Sequence, residues 1–165
     1  MYKNDKKFLS TLYRTSQIDD VWQWGQNQPV IQHPQLGLIS PSKYRSLFFG
    51  KPCPFCAQKM THGKHLYSTT SEQEAISRGY QYIKKTGEKY INRAGKLYFH
   101  PNYVTLDHKI NKARCPELLF EYNNLEVICW KCNMSKGDNN AYGIEQAKAY
   151  IKDLKNEAFK RYYPL

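Results

Sequence analysis

The sequence predicts an α+β fold, with helices towards both ends and strands in between. Residues 5–24 and 144–162 repeat apolar side chains at the spacing of an amphipathic helix. Residues 89–108 and 125–129 instead carry the aromatic and β-branched side chains that are typical of strands. The chain has 165 residues, which suits one domain with short arms rather than two full domains.

Residues 1–50 are interpreted as a helical N-terminal arm. Its first part fits one or two amphipathic helices, with apolar positions at Phe8, Leu9, Leu12, Ile18, Val21 and Trp22. A second, shorter helix begins after Ser40, a favourable N-cap, has Pro41 in its first turn and ends by Gly50. That helix leads directly to a pair of cysteines.

Residues 57–97 are interpreted as an insert. Ser71 and Glu74 form a capping box, which predicts a helix over about 72–85 that Gly87 would follow. Two strands then follow, joined near Ala94 and Gly95, and the second is predicted to continue without a break to residue 108.

After a loop around NKARCPE, a short strand over 125–129 is expected, and then a final helix over 144–162. The apolar stripe of that helix has charged residues on its other faces, and its positions are Ile144, Ala147, Ile151, Leu154 and Ala158. We expect this stripe to pack on the core rather than to bind a partner.

The chain is strongly basic, with 25 Lys and Arg against 14 Asp and Glu and a formal net charge of +11. This balance favours a polyanionic partner, and nucleic acid is the first candidate. An anionic membrane surface is the rival, but no apolar run approaches the roughly 18 residues of a membrane-spanning helix. A basic protein with neither partner is the third option. The N-terminal residues lack the apolar stretch of a signal peptide, so we expect an intracellular, cytoplasmic protein without disulfides.

Four of the five cysteines form two Cys-x2-Cys pairs, Cys53 with Cys56 and Cys129 with Cys132. Two such pairs predict one tetrahedral Zn²⁺, because each tight turn places two thiolates on one side. A rubredoxin-like iron site, a redox-active pair and plain buried thiols are the alternatives. Cys115 lies outside the pairs and is interpreted as a bystander rather than a nucleophile.

The predicted zinc is structural. A closed shell of four thiolates leaves no position for a reactive water, so any hydrolysis must happen elsewhere. Because the site cannot exist in the unfolded chain, its binding free energy, on the order of 10 kcal/mol, becomes folding free energy.

The segment from 105 to 133 holds the side chains that phosphodiester hydrolysis needs. His108 can take a proton from water, since its ordinary pKa leaves it mostly neutral at pH 7. Asp107 offers a hard oxygen to Mg²⁺ or Mn²⁺, and the carbonyl of Asn133 offers another. Asn124 can bridge backbone groups and hold the loop after His108. We expect Asp107, His108 and Asn133 to face one water-accessible cavity.

The order of these motifs, DH, then NNL, then CWKCNMSKGD, resembles the HNH nucleases. They are also called His-Me finger or ββα-metal nucleases, and the likeness is to the branch with four zinc-binding cysteines. It covers residues 53–56 and about 98–138. It implies that residues 51–140 form a zinc-stabilised ββα-metal core, with the insert at 57–97 and a C-terminal helix at 141–165.

By position, the resemblance makes His108 the base that activates water. Asp107 and Asn133 become the ligands of a catalytic Mg²⁺ or Mn²⁺, and Asn124 becomes the brace of the loop. Asn133 is expected to begin a short helix over about 133–138. Asn123 competes for that last role, although the Asn-Leu step favours Asn124. The Pro and Gly-Gly that often follow DH in the family are absent, and the insert is longer than in compact relatives.

The implied function is a metal-dependent endonuclease, an enzyme that hydrolyses double-stranded DNA in a bacterial or phage-like cell. The N-terminal arm at 1–50 and the insert at 57–97 favour a sequence-specific restriction enzyme that reads bases with these segments, and a homodimer is one option. A phage or intron nicking nuclease, an RNA-directed nuclease and a non-catalytic zinc-ribbon module remain as alternatives.

Lys112, Lys131 and Lys136 are expected to grip the cleaved strand. Aromatics alternate with basic residues in KKTGEKYINRAGKLYFH and in KRYYPL, where DNA could also bind, although packing is the commoner role of such tyrosines. The other histidines are interpreted as surface or packing residues: His33, His62, His65 and His100.

Overall fold

A computed structural model describes residues 4–137 and 141–162, except for the side chains of 141–147 and 162. The fold is mixed α+β, as predicted. Within those ranges the strands form four small sheets, and every pairing is antiparallel. The described helices include none with the length and apolar character needed to cross a membrane.

The N-terminal segment contains the predicted helices and also a hairpin. Helices α1 (Lys6–Leu9) and α2 (Thr15–Gly25) come first. Strands β1 (Ile31–His33) and β2 (Gly37–Ile39) then pair with each other, and helix α3 (Pro41–Ser46) follows. The purely helical arm is therefore wrong in this detail, because residues 31–39 turn back on themselves.

Helix α3 begins as its sequence predicts. The Ser40 hydroxyl oxygen accepts a hydrogen bond from the Lys43 amide over 3.1 Å, and Pro41 is the first helical residue. Gly50 has a φ of 73°, a conformation that costs glycine little, and it turns the chain towards the first cysteine pair.

The insert is built of short elements. Helix α4 (Lys64–Tyr67) and strand β3 (Ser68–Thr69) precede helix α5 (Glu72–Ser77), and β4 (Tyr82–Ile83) pairs with β5 (Lys89–Tyr90). Strands β6 (Asn92–Ala94) and β7 (Leu97–Phe99) form the predicted hairpin, and β3 adds to the other edge of β7.

The predicted helix over 72–85 is too long, because α5 ends at Ser77. Gly79 has a φ of 78°, and its amide donates to the carbonyl of Ile76 over 3.0 Å. The amide of Tyr80 donates to the carbonyl of Ala75 over 2.9 Å. These two bonds form a Schellman motif, which closes the helix at Gly79 rather than near Gly87.

The strand predicted to continue to residue 108 is two strands. β7 ends at Phe99, Pro101 lies in a turn, and strand β8 (Val104–His108) pairs with strand β9 (Leu125–Cys129) instead. Short 3₁₀ turns at Pro116–Leu118 and Tyr122–Asn124 lie in the connecting loop. Proline has no amide hydrogen to donate to a sheet, which explains the break.

Helix α6 (Trp130–Lys136) follows β9 directly, so it begins earlier than the helix expected over 133–138. Residue 138, the expected end of that helix, lies outside the described residues.

The last helix, α7 (Ala141–Tyr162), does not pack on the core through its described side chains. Every side chain from 148 to 161 is exposed, including Ile151 at 63% and Leu154 at 51%. The packing prediction is therefore wrong for these positions. Ile144 and Ala147 lie outside the described side chains.

One hydrophobic core joins the N-terminal segment to β8 and β9. Buried residues of α1, α2, β1, β2 and α3 share it with Leu119, Phe120 and the two strands. A smaller cluster of Ala75, Tyr80 and Ile91 holds the insert together. The N-terminal segment is thus part of the structure that positions β8 and β9, rather than an appendage.

Candidate metal centre and active site

The first cysteine pair lies in a tight turn that backbone hydrogen bonds close. The Cys53 amide donates to the carbonyl of Gln58 and the Ala57 amide donates to the carbonyl of Cys53, both over 2.8 Å. Ala57 has a φ of 59°, which L-residues seldom adopt, and this reverses the chain after Cys56. The turn carries both thiols to the point where β9 meets α6.

The second pair lies at that junction, since Cys129 ends β9 and Cys132 lies in the first turn of α6. The four sulfurs lie within 4.8 Å of one another. The structure therefore brings together the four cysteines predicted to bind metal. The fifth, Cys115, is a free cysteine outside this cluster.

The spacing of the sulfurs fits a tetrahedral metal ion. A zinc–sulfur bond of about 2.3 Å places the sulfurs of a tetrahedron roughly 3.8 Å apart, and the sulfurs of Cys56 and Cys129 are separated by 3.8 Å. A disulfide would need about 2 Å. Burial raises the pKa of the Cys129 thiol to about 12. A cation would therefore be needed to remove its proton near neutral pH.

Strands β8 and β9 and helix α6 form two antiparallel strands followed by a helix. The strands pair from Val104 opposite Cys129 to His108 opposite Leu125. α6 packs against both strands. Because the cysteine cluster holds the start of α6, it also fixes where the later residues of that helix meet β8.

His108 ends β8 with its ring turned towards α2. Its Nε2 lies 3.0 Å from the carbonyl oxygen of Leu119, and a carbonyl only accepts, so Nε2 carries the hydrogen. The ring packs edge-on against Trp22 with 4.8 Å between ring centroids. Burial lowers the pKa of His108, and the Leu119 hydrogen bond opposes this only in part. The imidazole is thus neutral at pH 7, with a lone pair on Nδ1.

The position of Trp22 depends on close packing between α2 and the loop after β8. The Phe120 ring stacks on Trp22 with centroids 5.7 Å apart. The same ring fills the space where a Cβ on Gly25 would lie. Only glycine therefore allows α2 to approach this closely and to place Trp22 against His108.

Asn124 braces the loop between His108 and β9. Its Oδ1 accepts from the Ile110 amide over 2.9 Å, and its Nδ2 donates to the carbonyls of Ile110 and Leu118 over 3.2 and 3.3 Å. Asn124 is 5% exposed, whereas Asn123 is exposed. Of the two candidates, Asn124 is the one that makes the bracing contacts.

Asp107 faces α6 and forms an ion pair with a lysine of that helix. Its Oδ2 forms an ion pair with Lys136 Nζ. Glu126 lies directly opposite Asp107 across the strands, and its Oε2 is 4.0 Å from the same Nζ. Burial and the nearby Asp107 raise the pKa of Glu126, while Lys136 and Lys109 lower it, with a net rise. Two carboxylates thus share one lysine.

Asn133 lies one turn before Lys136 on the same helix. Its Nδ2 donates to Thr105 Oγ1 over 3.1 Å. Thr105 and Asp107 lie two apart on β8, so they share a face of the strand. Asp107 and Asn133 are therefore neighbours on the side of β8 that α6 covers.

The three groups expected around one cavity are divided between the two sides of β8. Asp107 contacts Lys136 of α6 and Asn133, itself in α6, contacts Thr105, whereas His108 contacts Trp22 of α2. A groove of about 820 Å³ is lined by Trp22, Thr105, Leu106 and Asn133, among others, but not by Asp107 or His108. The alternation of side chains along a strand separates neighbouring residues in this way.

The three lysines expected to bind the DNA strand differ in their ion pairs and in their exposure. Lys112 Nζ pairs with Asp19 over 2.5 Å, and Lys136 pairs with Asp107 with only 11% of its side chain exposed. Lys131 is exposed and lies over the Tyr82 ring at 5.7 Å. Only Lys131 is therefore presented to solvent as the prediction requires.

The remaining histidines and tyrosines have packing partners for the most part. His33, His62 and His100 each contact tyrosine rings, whereas His65 is exposed. In the insert, Tyr98 packs against the smaller hydrophobic cluster. The end of KRYYPL lies outside the described residues.

No family model, curated protein or solved structure matches this chain.

Three residues near the candidate site are not predicted from the sequence. Glu126 lies opposite Asp107, and Trp22 and Arg45 line the groove. Glu126 could have been found from register, because it stands opposite Asp107 once β8 and β9 are paired. Trp22 and Arg45 come from the N-terminal segment, and no local pattern links them to the DH motif.

Proposed function

We propose that the chain is a metal-dependent endonuclease of the HNH type that hydrolyses phosphodiester bonds in DNA. A sequence-specific restriction enzyme is the form that we favour. The observation that carries the proposal is the arrangement of His108, Asn124 and α6. A neutral histidine ends β8, an asparagine braces the loop after it, and helix α6, which carries the amide oxygen of Asn133, follows β9.

His108 is suited to the role of base. Because its Nε2–H is donated to the Leu119 carbonyl, Nδ1 keeps a lone pair with which to take a proton from water. The hydrogen bond also fixes the tautomer and the plane of the ring. Asn124 supports this arrangement indirectly, since it holds the loop that contains the Leu119 carbonyl.

Asp107 and Asn133 are the residues that would hold Mg²⁺ or Mn²⁺. Their oxygens are of the hard type that these ions prefer, and Asn133 uses its nitrogen, not its oxygen, to bond Thr105. When bound, the ion would neutralise charge on the phosphate and on the departing oxygen. Glu126 lies next to Asp107 and is a third candidate ligand.

Lys136 must release Asp107 before such an ion can bind. Its ammonium group pairs with Asp107 and lies near Glu126, where a divalent cation would have to come. Lys136 sits in the last turn of α6, next to Gly137. Its long side chain can leave Asp107 without any change in the strands, and it could then meet the DNA.

A structural Zn²⁺ is the second part of the proposal. Cys53, Cys56, Cys129 and Cys132 would hold it, with all four positions of the ion occupied. Since the cluster ties the turn at 53–57 to the start of α6, the ion would stabilise the region around Asn133 without taking part in hydrolysis.

A non-catalytic zinc-ribbon module that binds nucleic acid is the second candidate. The ion pair between Lys136 and Asp107 favours it, as does the separation of His108 from Asn133 by β8. This candidate predicts binding of DNA without cleavage.

Incubation of the purified protein with supercoiled plasmid, with and without Mg²⁺, separates the two. The nuclease predicts magnesium-dependent cleavage that His108→Ala slows strongly and that His65→Ala, a change at an exposed histidine, leaves intact. Discrete fragments would support a restriction enzyme, a smear would support non-specific cutting, and nicked circles would support a nicking enzyme. Untouched plasmid would favour the binding module, and cleavage of RNA alone would indicate an RNA-directed nuclease.

A further inference from the structure

The groove of about 820 Å³ lies between the N-terminal helices and β8. One wall comes from α2 and α3, and the other comes from the start of the insert, β8 and the first turns of α6. The groove is partly open to solvent, and its polar lining includes Gln23, Gln26, Ser42, Arg45, Lys64 and Asn133.

The charge of this groove is entirely positive. Arg45 and Lys64 line it, and no aspartate or glutamate does so among the described residues. A concave surface with cations and no carboxylates attracts anions, and its field is concentrated by the low-dielectric walls.

Arg45 is the cation that most requires an anion. Its side chain is half-buried, and its Nη2 donates to the Ser42 hydroxyl over 3.2 Å. In the described part of the chain, no carboxylate forms an ion pair with it. A buried guanidinium without a counter-charge is costly, and its planar set of donors matches a phosphate.

The walls around Arg45 are held in place. The Tyr103 hydroxyl accepts from the amide of Gly63 over 3.1 Å, and the His62 ring stacks on the Tyr103 ring. The start of α4, which carries Lys64, is therefore anchored opposite α3. A ligand would meet a preformed site rather than order a loose one.

The groove also leads to the proposed active site. Asn133, a proposed ligand of the catalytic cation, lines it, and so does Trp22, which contacts the His108 ring. A DNA strand lying in this groove would thus pass beside Asn133 and beside Trp22, the residue that contacts His108.

A second basic hollow is a weaker candidate. It has a volume of about 470 Å³ between the β4–β5 turn and α6, and Lys84, Lys85 and Lys131 line it. Lys84 lies over the Tyr90 ring and Lys131 lies over the Tyr82 ring. None of the residues proposed for catalysis lines this hollow.

We propose that the groove between α2, α3 and β8 binds one strand of DNA, and that Arg45 holds a backbone phosphate of that strand next to the site of cleavage. This assignment rests on the proposed nuclease function for the identity of the ligand. Arg45 acts as a phosphate-binding residue, with Lys64 as a weaker, exposed second contact.

The test measures the affinity for a short fluorescein-labelled DNA duplex by anisotropy, over a range of NaCl concentrations and without added Mg²⁺. Arg45→Ala is compared with wild type, with Arg45→Lys and with Lys43→Ala. Lys43 is the matched control, because it lies exposed on the same helix and does not line the groove. Melting temperature and zinc content verify that each variant is folded.

Arg45→Ala is expected to weaken binding by about tenfold or more, since it removes a charge-assisted contact. It should also make the slope of log K against log[NaCl] shallower by about 0.9, the contribution of one phosphate contact. Arg45→Lys should keep the slope and recover part of the affinity. Lys43→Ala should change neither quantity appreciably.

The proposal is overturned if Arg45→Ala binds with the affinity and salt slope of wild type, or if wild type does not bind the duplex. The groove proposal and the nuclease proposal can fail independently, because DNA binding is measured without the catalytic cation and cleavage requires it. If the wild-type protein binds DNA through Arg45 but never cleaves plasmid, the assignment of the groove stands and the nuclease proposal fails.

Discussion

At the scale of single residues, His108 is the group whose surroundings matter most. Burial beside Trp22 lowers its pKa, and the bond to the Leu119 carbonyl raises it only partly. The ring therefore stays neutral to a lower pH than a free histidine. A general base must be neutral to accept a proton, although a pKa far below the working pH would weaken it as a proton acceptor.

We expect the acid limb of the pH–rate profile for DNA cleavage to fall below 6.5, the ordinary pKa of histidine. The rate should increase as the pH rises through this limb and be level near neutral pH, because His108 must lose a proton to act. His108→Ala should lower the rate by roughly two to four orders of magnitude. Steady-state rates across the pH range provide the measurement, and a limb that persists in His108→Ala would contradict the assignment.

Glu126 has a raised pKa because its carboxylate is buried and faces Asp107. Its Oε2 has no hydrogen-bond partner. The folded protein therefore keeps the Glu126 proton to a higher pH than the unfolded chain, where the pKa is near 4.5. The contribution of Glu126 to the free energy of unfolding is full below about pH 4.5, and it is lost as the pH rises through the pKa of the folded state.

Glu126→Gln should therefore raise the melting temperature by a few degrees near neutral pH, because the variant has no buried charge to form. The gain should shrink towards about pH 4.5, where the wild-type carboxyl is protonated. Thermal melts across this range give the comparison. Glu88→Gln, at an exposed carboxylate, serves as the control, and an equal gain in both variants would argue against burial as the cause.

At the scale of elements, the loop between β8 and β9 depends on one buried amide. Asn124 satisfies the amide and carbonyl of Ile110 and the carbonyl of Leu118. Without the Asn124 side chain, these backbone amide and carbonyl groups would have fewer hydrogen-bond partners. The cost of such unsatisfied groups is about 1–3 kcal/mol.

Asn124→Ala is accordingly expected to lower the free energy of unfolding by about 1–3 kcal/mol, measured by urea denaturation. It should also slow cleavage, because the loop positions the carbonyl that orients His108. Asn123→Ala changes the exposed neighbour and should leave both stability and rate near wild type. Equal effects of the two substitutions would mean that the brace is assigned to the wrong residue.

Local sequence signals predicted the elements wherever a cap or a turn residue marked the boundary. The Ser40–Pro41 start of α3 and the turn of the β6–β7 hairpin are examples. The predicted stop at Gly87 places the end of α5 too late, because Gly79 forms the Schellman motif that closes the helix. The break at Pro101 was also readable, since a proline rarely lies within a paired strand.

The site itself could be predicted only in part. Cys-x2-Cys spacing identifies metal ligands without knowledge of the fold, and the four cysteines do lie together. The pairing of Lys136 with Asp107 and the position of Arg45 in the groove depend on contacts between distant segments. Sequence spacing carries no information on such contacts until the strands and helices are placed.

At the scale of the whole molecule, the cysteine cluster links segments that are far apart in the chain. It joins the turn before the insert to the end of β9 and the start of α6. The sulfur of Cys53 also accepts the amide of Cys129 over 3.4 Å. Loss of a metal ion from this cluster would therefore loosen the core on both sides of the insert.

Removal of the proposed zinc with a strong chelator should unfold the protein cooperatively, because a metal-binding free energy on the order of 10 kcal/mol would then contribute to folding. Circular dichroism and metal analysis by mass spectrometry give the readout. Cys129→Ser should bind no zinc and fail to fold, whereas Cys115→Ser, outside the cluster, should retain one zinc per chain. A metal-free Cys129→Ser protein with a wild-type melting temperature would show that the cluster is not a structural zinc site.

We propose that Asp107 and Asn133 hold one catalytic cation while His108 acts as the base, and a crystal structure with Mn²⁺ and a DNA duplex would show whether they do. We expect anomalous density for Mn²⁺ at the Asp107 carboxylate and Asn133 Oδ1, with Lys136 moved off Asp107 and a phosphate within reach of His108. Density confined to the four cysteines, with Lys136 still paired to Asp107 while DNA is bound, would contradict it.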